Sequence, residues 1–454
     1  MRTLALIGAF LAGGVDRVRS LADARGPAWS TFATSDTGRA AGMASAVIAA
    51  NVIALLFTII FARLLGAGYG SLAALISAFI ILMVPGSALQ IAVAREVSRD
   101  IAAQSPTAGA GVRRWLGRLL LATVLVAAVA IPLRAPLAAV IAVDEEWAAA
   151  AVPVTGMLWM VLCVVRGALQ GLGRYRQVAL SLVGEGLTRL ASAALLVGVG
   201  FDVTGAFLGN ACSVAAMAAV FAVPLFRLLP PPSGREARAR LRDLLLGAWA
   251  PMLGLTALFS LQEMHVILIK HEASEGVAAS WGVAAVAAKA IIWVAIGLGL
   301  YLVPEAAGRA RAGVDARPIL ARTLALIVSA SVPMVLIYAL LGEPLLGAVF
   351  GEDKTQASGA LPWLGLAMAL LACAYLAVQY LLALGRVGFI WVLGAASGGE
   401  VLLLLAIGAD LKQVAIALSG LMFICSALVL AIAVRRGPGA RGPAHAGVTG
   451  TEVN

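Results

Sequence analysis

Five charged side chains stand deep inside long apolar stretches of this chain, away from their ends: Glu185, Arg189, Glu263, Lys289 and Glu400. A sixth titratable group, His265, lies two positions from Glu263. Charge in an apolar segment of membrane length is costly, so each is a site candidate. Lys289 is the sharpest, because it sits at the middle of the apolar stretch 277–303. At ~1.5 Å per residue its Cα is roughly 18–20 Å from either end, too far for a lysine stem to reach the interface. It must face a wet cavity or a counter-ion. Two chemistries fit: a cationic contact for an anionic group, or a structural ion pair with Glu263 on the preceding helix. Glu185 and Arg189 are four residues apart with the glutamate first, hence on one helix face. Such a pair can neutralise itself, and the same face can line a cavity. Glu400 has no local partner and suits a protonatable or cation-linked role. Glu263 and His265 fall roughly 6–10 Å below the outer surface by the same rise, as gate residues or hydrated groups. Asn51 and Gln90 read as helix–helix hydrogen bonds, with Asn51 kept as a cavity candidate.

Other chemistries find no residues to carry them. The three histidines, His265, His271 and His445, sit beside no nucleophile–base pair, and no Gly-rich loop ends in Lys and Ser/Thr. The four cysteines, Cys163, Cys212, Cys373 and Cys425, lie far apart in apolar segments, without metal or disulfide spacing. They read as small buried hydrophobes. The reading is therefore not an enzyme, with no metal and no cofactor. The net charge of +10 comes from basic residues in short polar gaps, with only 6% aromatic residues. That pattern lacks the folded basic surface and stacking platform of a nucleic-acid binder.

The elements that position these residues follow from composition. Hydrophobic residues make up 62% of the chain and charged residues 12%, against ~45–50% and ~25% in soluble domains. So much apolar surface needs lipid around it. A spanning helix takes ~20 mostly apolar residues, and twelve such stretches are found: 41–62, 71–93, 117–133, 147–168, 177–199, 204–226, 245–269, 277–303, 319–341, 360–384, 388–408 and 412–434. The expected fold is an all-α integral membrane protein. With the N-terminus inside, the inner segments hold 26 Lys and Arg, against 5 in the outer loops, so both termini are expected in the cytoplasm. Residues 1–40 form an N-terminal extension whose run 4–14 is too short to span. It reads as an interfacial segment, or as residues ahead of an over-called start codon, rather than a signal peptide. The Gly/Pro/Ala-rich tail 435–454 reads as disordered.

The chain also repeats itself. Glu96 matches Glu305, and Leu133-x-x-Pro136-Leu137 matches Leu341-x-x-Pro344-Leu345. Asp144-Glu145 matches Glu352-Asp353, and Pro153 matches Pro362. Gly173-Arg174 matches Gly385-Arg386, and Gly200-x-Asp202 matches Gly408-x-Asp410. The offsets are 208–212 residues throughout. Two six-helix units, 41–226 and 245–434, are joined by a basic linker, 227–244. Six is even, so both units cross the same way, as parallel repeats about an axis along the membrane normal. Kinks are expected at Pro85, Pro153, Pro224, Pro251, Pro333 and Pro362.

Phe61-Ala62-Arg63-Leu64-Leu65-Gly66, Gly68-Tyr69-Gly70, Leu169-Gln170-Gly171-Leu172-Gly173-Arg174-Tyr175, Val266-Ile267-Leu268-Ile269-Lys270-His271 and Leu302-Val303-Pro304 together resemble the polysaccharide flippases of the multidrug/oligosaccharidyl-lipid/polysaccharide (MOP) exporter superfamily, over about residues 40–435. The resemblance implies V-shaped six-helix lobes in the cell (cytoplasmic) membrane. It implies movement of a polyprenyl-pyrophosphate-linked oligosaccharide to the outer leaflet by alternating access, with envelope polysaccharide glycosyltransferases as candidate partners. Relatives often carry an aspartate where His265 stands, so an acidic role there would fall to Glu263. On this reading Lys289 and Arg189 contact the pyrophosphate, and Glu185, Glu263, His265, Glu400 and Asn51 complete the cavity. The alternative is a cation-coupled exporter of small drugs on the same fold, which calls for an acidic cavity. A non-transporting scaffold in envelope assembly is a third reading, against which Lys289 stands.

Overall fold

The computed structural model describes residues 36–103, 108–229 and 249–435. The linker core, most of the N-terminal extension and the tail lie outside these residues. Thirteen α-helices follow in chain order among the described residues: α1 (Asp36–Leu64), α2 (Tyr69–Ala102), α3 (Ala108–Ala130), α4 (Arg134–Ile141), α5 (Glu146–Gly171), α6 (Tyr175–Leu196), α7 (Asp202–Leu228), α8 (Trp249–Glu272), α9 (Glu275–Arg311), α10 (Arg317–Phe350), α11 (Leu361–Ala383), α12 (Phe389–Ile407) and α13 (Leu411–Val434). Helices are what lipid demands, since each backbone polar group finds its partner within its own segment. Among the described residues ten segments are long and apolar enough to cross a membrane, or eleven when α3 and α4 count as one bent span. One of the ten runs from Tyr175 to Leu228 but holds two helices, α6 and α7, which pack side by side. That brings the crossings to twelve, and the chain is a multi-pass membrane protein.

The sequence repeats recur as backbone geometry. Gly173 and Gly385 end their helices at φ 71° and 69°, and Gly200 and Gly408 stand at φ 95° and 73°. These left-handed turns are open to glycine and strained for other residues. The Leu-x-x-Pro-Leu repeat also marks the same bend twice. In the first half the third span breaks by 86° between α3 and α4, beside Pro132 and Pro136, which withhold backbone donors. In the second half α10 runs on, with a kink at Leu341 (φ −126°). The spans read as 117–133 and 319–341 therefore extend past these bends, to Ile141 and Phe350. Pro362 is corrected too: it sits in the first turn of α11, where proline fits, and not at a kink.

Helices α1–α7 form one lobe and α8–α13 the other. Within the first lobe α2 packs along α5 and α6 along α7; within the second α11 packs along α9 and α13. Small residues allow the close approach. A methyl at Gly167 would come within 2.5 Å of the Gln90 carbonyl oxygen, and one at Gly209 within 2.6 Å of Ala193. Gln90 also donates to Gln170 across the α2–α5 seam at 3.2 Å, as expected for a helix–helix bond.

The lobes meet through the ends of helices remote from Asp36 and Arg435, called here the distal end. Arg63 at the end of α1 donates to the carbonyls of Ala348 and Val349 (2.5 and 3.1 Å), the electronegative C-terminus of α10. His271 Nε2 lies 2.9 Å from the Val140 carbonyl. Gly70 and Gly282 let α2 and α9 touch: a methyl on either would stand about 3 Å from Ala279 or Ala73.

Candidate functional site: a cavity between the lobes

Below that junction lies a cavity of about 350 Å³, room for roughly a dozen waters at ~30 Å³ each. Its first wall is built by α1, α2, α5, α6 and α7, and its second by α8 and α9. Phe57, Tyr69, Phe79, Trp159, Phe207, Phe259 and Trp293 give it an aromatic surface. The polar groups that reach it include Asn51, Ser77, Glu185, Arg189, Asn210, Gln262, Glu263 and Lys289. Five sequence candidates therefore line it together: Asn51, Glu185, Arg189, Glu263 and Lys289. Asn51 is turned to the cavity rather than serving only as a seam between helices.

On the second wall, Lys289 Nζ stands 2.6 Å from Glu263 Oε2. The two chemistries envisaged for Lys289 coexist, since the ammonium lines the cavity and also holds a counter-ion. Glu263 is fully buried at the cavity wall, which favours the ion pair with Lys289 over the reading of Glu263 as a hydrated group below the outer surface. It accepts from three donors: Lys289, Ser77 (2.7 Å) and Gln262 (2.9 Å). Ser77 belongs to α2, so this carboxylate also ties the lobes together.

On the first wall the expected Glu185–Arg189 pair is absent. Glu185 Oε2 is 2.8 Å from Arg166 instead. Arg166 is 1% exposed on α5, and its guanidinium also donates to the side chain and carbonyl of Ser181, both at 2.9 Å. By its place near the end of the apolar stretch 147–168, Arg166 is one of the 26 inner cations in the sequence. A buried arginine needs fixed acceptors in that setting, and α6 brings them from 15 and 19 residues away. Arg189 is left without its expected partner. Its Nε has no hydrogen bond, and its guanidinium lies 5.3 Å from the Phe57 ring centre, a cation–π contact. Among the described residues no carboxylate pairs with it.

The remaining two candidates lie outside the cavity lining. His265 is fully buried, which corrects the hydrated reading; its Nδ1 accepts from Trp281 at 3.1 Å, and its Nε2 has no partner. Glu400 on α12 is fully buried beside the His265 backbone, with both carboxylate oxygens lacking partners.

Comparison with solved structures places this architecture. An inward-facing multidrug-resistance MATE family transporter of the MOP superfamily matches with TM-score 0.72 at 13% identity, over 85% of this chain and 93% of that one. The lipid II flippase MurJ, in an inward closed conformation, matches with TM-score 0.66 at 10% identity, over 86% and 87%. A eukaryotic MATE transporter matches with TM-score 0.60 at 14% identity, over 88% and 96%. No family model and no curated protein matches the sequence. The chain has the fold of MOP-superfamily transporters.

Proposed function

We propose that this chain, sharing the MOP-superfamily fold, is a flippase that carries a polyprenyl-pyrophosphate-linked oligosaccharide from the inner to the outer leaflet of the cell membrane by alternating access. The observation that carries the reading is Arg189: an unpaired guanidinium on an aromatic-lined cavity between two lobes. An arginine fork matches phosphate oxygens two at a time, and the aromatic faces suit sugar rings. A pyrophosphate in hydrocarbon would leave each polar group unpaired at several kcal/mol; Arg189, Lys289 and Asn51 offer partners instead. The prenyl chain stays in lipid between the lobes. No nucleotide is called for, because an inside-negative potential favours outward movement of anions by ~2.3 kcal/mol per charge per 100 mV. Both termini are cytoplasmic on this reading, and the distal junction is the closed outer gate. The test is purified protein in vesicles holding lipid-linked oligosaccharide, with appearance of the sugar in the opposite leaflet read by a membrane-impermeant lectin. No acceleration over protein-free vesicles refutes the proposal.

A second reading, cation-coupled drug export, is favoured by one observation. Glu400 is buried with both oxygens unpartnered, as suits a carboxylate that takes up a proton or a cation. Accumulation of tetraphenylphosphonium in the same vesicles, driven by a proton or sodium gradient, would support it.

A further inference from the structure

The cavity holds one carboxylate and one guanidinium four residues apart on α6, yet they form no ion pair. Arg166 is the reason. It lies behind the wall with its guanidinium 5.4 Å from the ring of Trp159, a residue that itself lines the cavity. From there it takes Glu185 at 2.8 Å and two acceptors of Ser181. On the opposite wall Glu263 takes Lys289 at 2.6 Å. The named charged groups facing the cavity are Glu185, Arg189, Glu263 and Lys289. On the first wall Arg166, Glu185 and Arg189 sum to one positive charge, and Arg189 is the member that presents it to the cavity without an ion pair.

We infer that Arg166 is a positioning residue that sets the sign of the cavity's charge, holding Glu185 away from Arg189 so that the site takes a diphosphate rather than a cation. The inference rests on the transport reading above and adds the specificity element to it. Without Arg166, Glu185 has Arg189 as its nearest cation on the same helix face. The pair would then close on itself, and a positively charged ligand would meet no net repulsion. The shared ligand chemistry is the diphosphate, whether free or carried on a lipid.

The experiment compares wild type, Arg166→Leu, Glu185→Gln and the double variant Arg166→Leu/Glu185→Gln in detergent. Each is titrated with inorganic pyrophosphate, with a polyprenyl diphosphate and with tetraphenylphosphonium, and its thermal unfolding is recorded. Arg166→Leu is expected to weaken diphosphate binding at least tenfold and to tighten the lipophilic cation. The double variant, which removes both charges, should return diphosphate binding to within threefold of wild type, although it lacks the Arg166 contacts. A merely structural arginine would not be rescued in that way. Unchanged diphosphate binding in Arg166→Leu, or no rescue in the double variant, overturns the inference. If Arg166→Leu does not fold, Glu185→Gln decides: two unopposed guanidiniums should tighten diphosphate, and unchanged or weaker binding overturns it. The transport reading fails separately. Wild type that binds tetraphenylphosphonium and neither diphosphate would end the flippase proposal. The cation titration would still test Arg166, through the tightening expected in its variant.

Discussion

The two walls of the cavity carry the same kinds of charge and dispose of them in opposite ways. On the α8–α9 wall the carboxylate of Glu263 pairs with the cavity cation itself, Lys289. On the α5–α6 wall the carboxylate of Glu185 pairs with a cation behind the wall, Arg166, and the cavity cation Arg189 is left without an ion pair. The first arrangement fixes structure, because Glu263 also accepts from Ser77 of the other lobe. The second leaves a charge available to a ligand. Intramembrane charge is therefore not one signal but two, and the partner decides which.

The largest expected effect follows from the free cation. Arg189→Met should abolish flipping of lipid-linked oligosaccharide while the protein reaches the membrane at near-normal abundance, because no carboxylate is orphaned. Arg189→Lys should keep part of the rate, as a point charge without the planar fork. Normal transport by the methionine variant, measured in the vesicle assay, would erase the distinction between the walls.

The paired cation should behave differently. Lys289→Met leaves Glu263 buried and without its counter-charge, a loss of the kind that costs about 3–5 kcal/mol. A fall in unfolding temperature and in abundance is expected, together with slower transport. Adding Glu263→Gln should restore most of the stability, since a neutral amide can still bond Ser77. If stability holds in Lys289→Met and only transport falls, Lys289 acts on substrate as Arg189 does, and the two walls are alike.

Much of this architecture was legible in the sequence, for local reasons. Glycines 173, 200, 385 and 408 mark turns that their own backbone requires, and the Leu-x-x-Pro-Leu repeat marks two bends that proline imposes. Both are short-range chemistry, so a constant offset reveals them. The cavity residues were legible as costs: a charge in a span must be explained wherever it points. Their partners were not legible. The i,i+4 rule paired Glu185 with Arg189, but a tertiary neighbour from α5 competes for the same carboxylate and wins with one hydrogen bond to it and two more to Ser181. Nor could hydropathy locate Arg166, which stands five residues before the end of α5 and looks like a flanking cation.

Packing inside the lobes offers a smaller contrast. On α7, Gly209 faces Ala193 so closely that any side chain would collide with backbone. The position 208 residues on is Ala417 of α13, so that helix already carries a methyl there. Gly209→Val is expected to cost about 1–3 kcal/mol through overpacking, read as a lower unfolding temperature in detergent. Ala417→Val should shift it by less than half as much. Equal losses would show that the two lobes pack their last hairpins in the same way.

The smallest effect concerns the repeated acidic loop at the distal end, where the lobes again differ. Asp353 is paired with Lys354, whose side chain is buried. Its repeat mate, Glu145, is half-buried and has one carboxylate oxygen without a partner. Burial raises the pKa of Glu145 above the ordinary carboxylate value, with Lys270 partly offsetting it. The sign follows from linkage. A carboxyl with a raised folded-state pKa favours folding when protonated; that contribution is complete below the unfolded value of ~4.3 and lost as the pH rises through the folded one. At neutral pH the ionised Glu145 is therefore a mild liability. Glu145→Gln should raise the unfolding temperature by one or two degrees at pH 7, on the order of a few tenths of a kcal/mol after solvent screening. The gain should shrink as the pH falls toward 4. Asp353→Asn should do the reverse at pH 7, lowering the unfolding temperature by stripping the partner from a buried ammonium. Paired melting curves across pH 4–8 check both. If Glu145→Gln gives no gain at pH 7, or a gain that does not change with pH, its burial does not oppose ionisation, and the two loops differ in sequence alone.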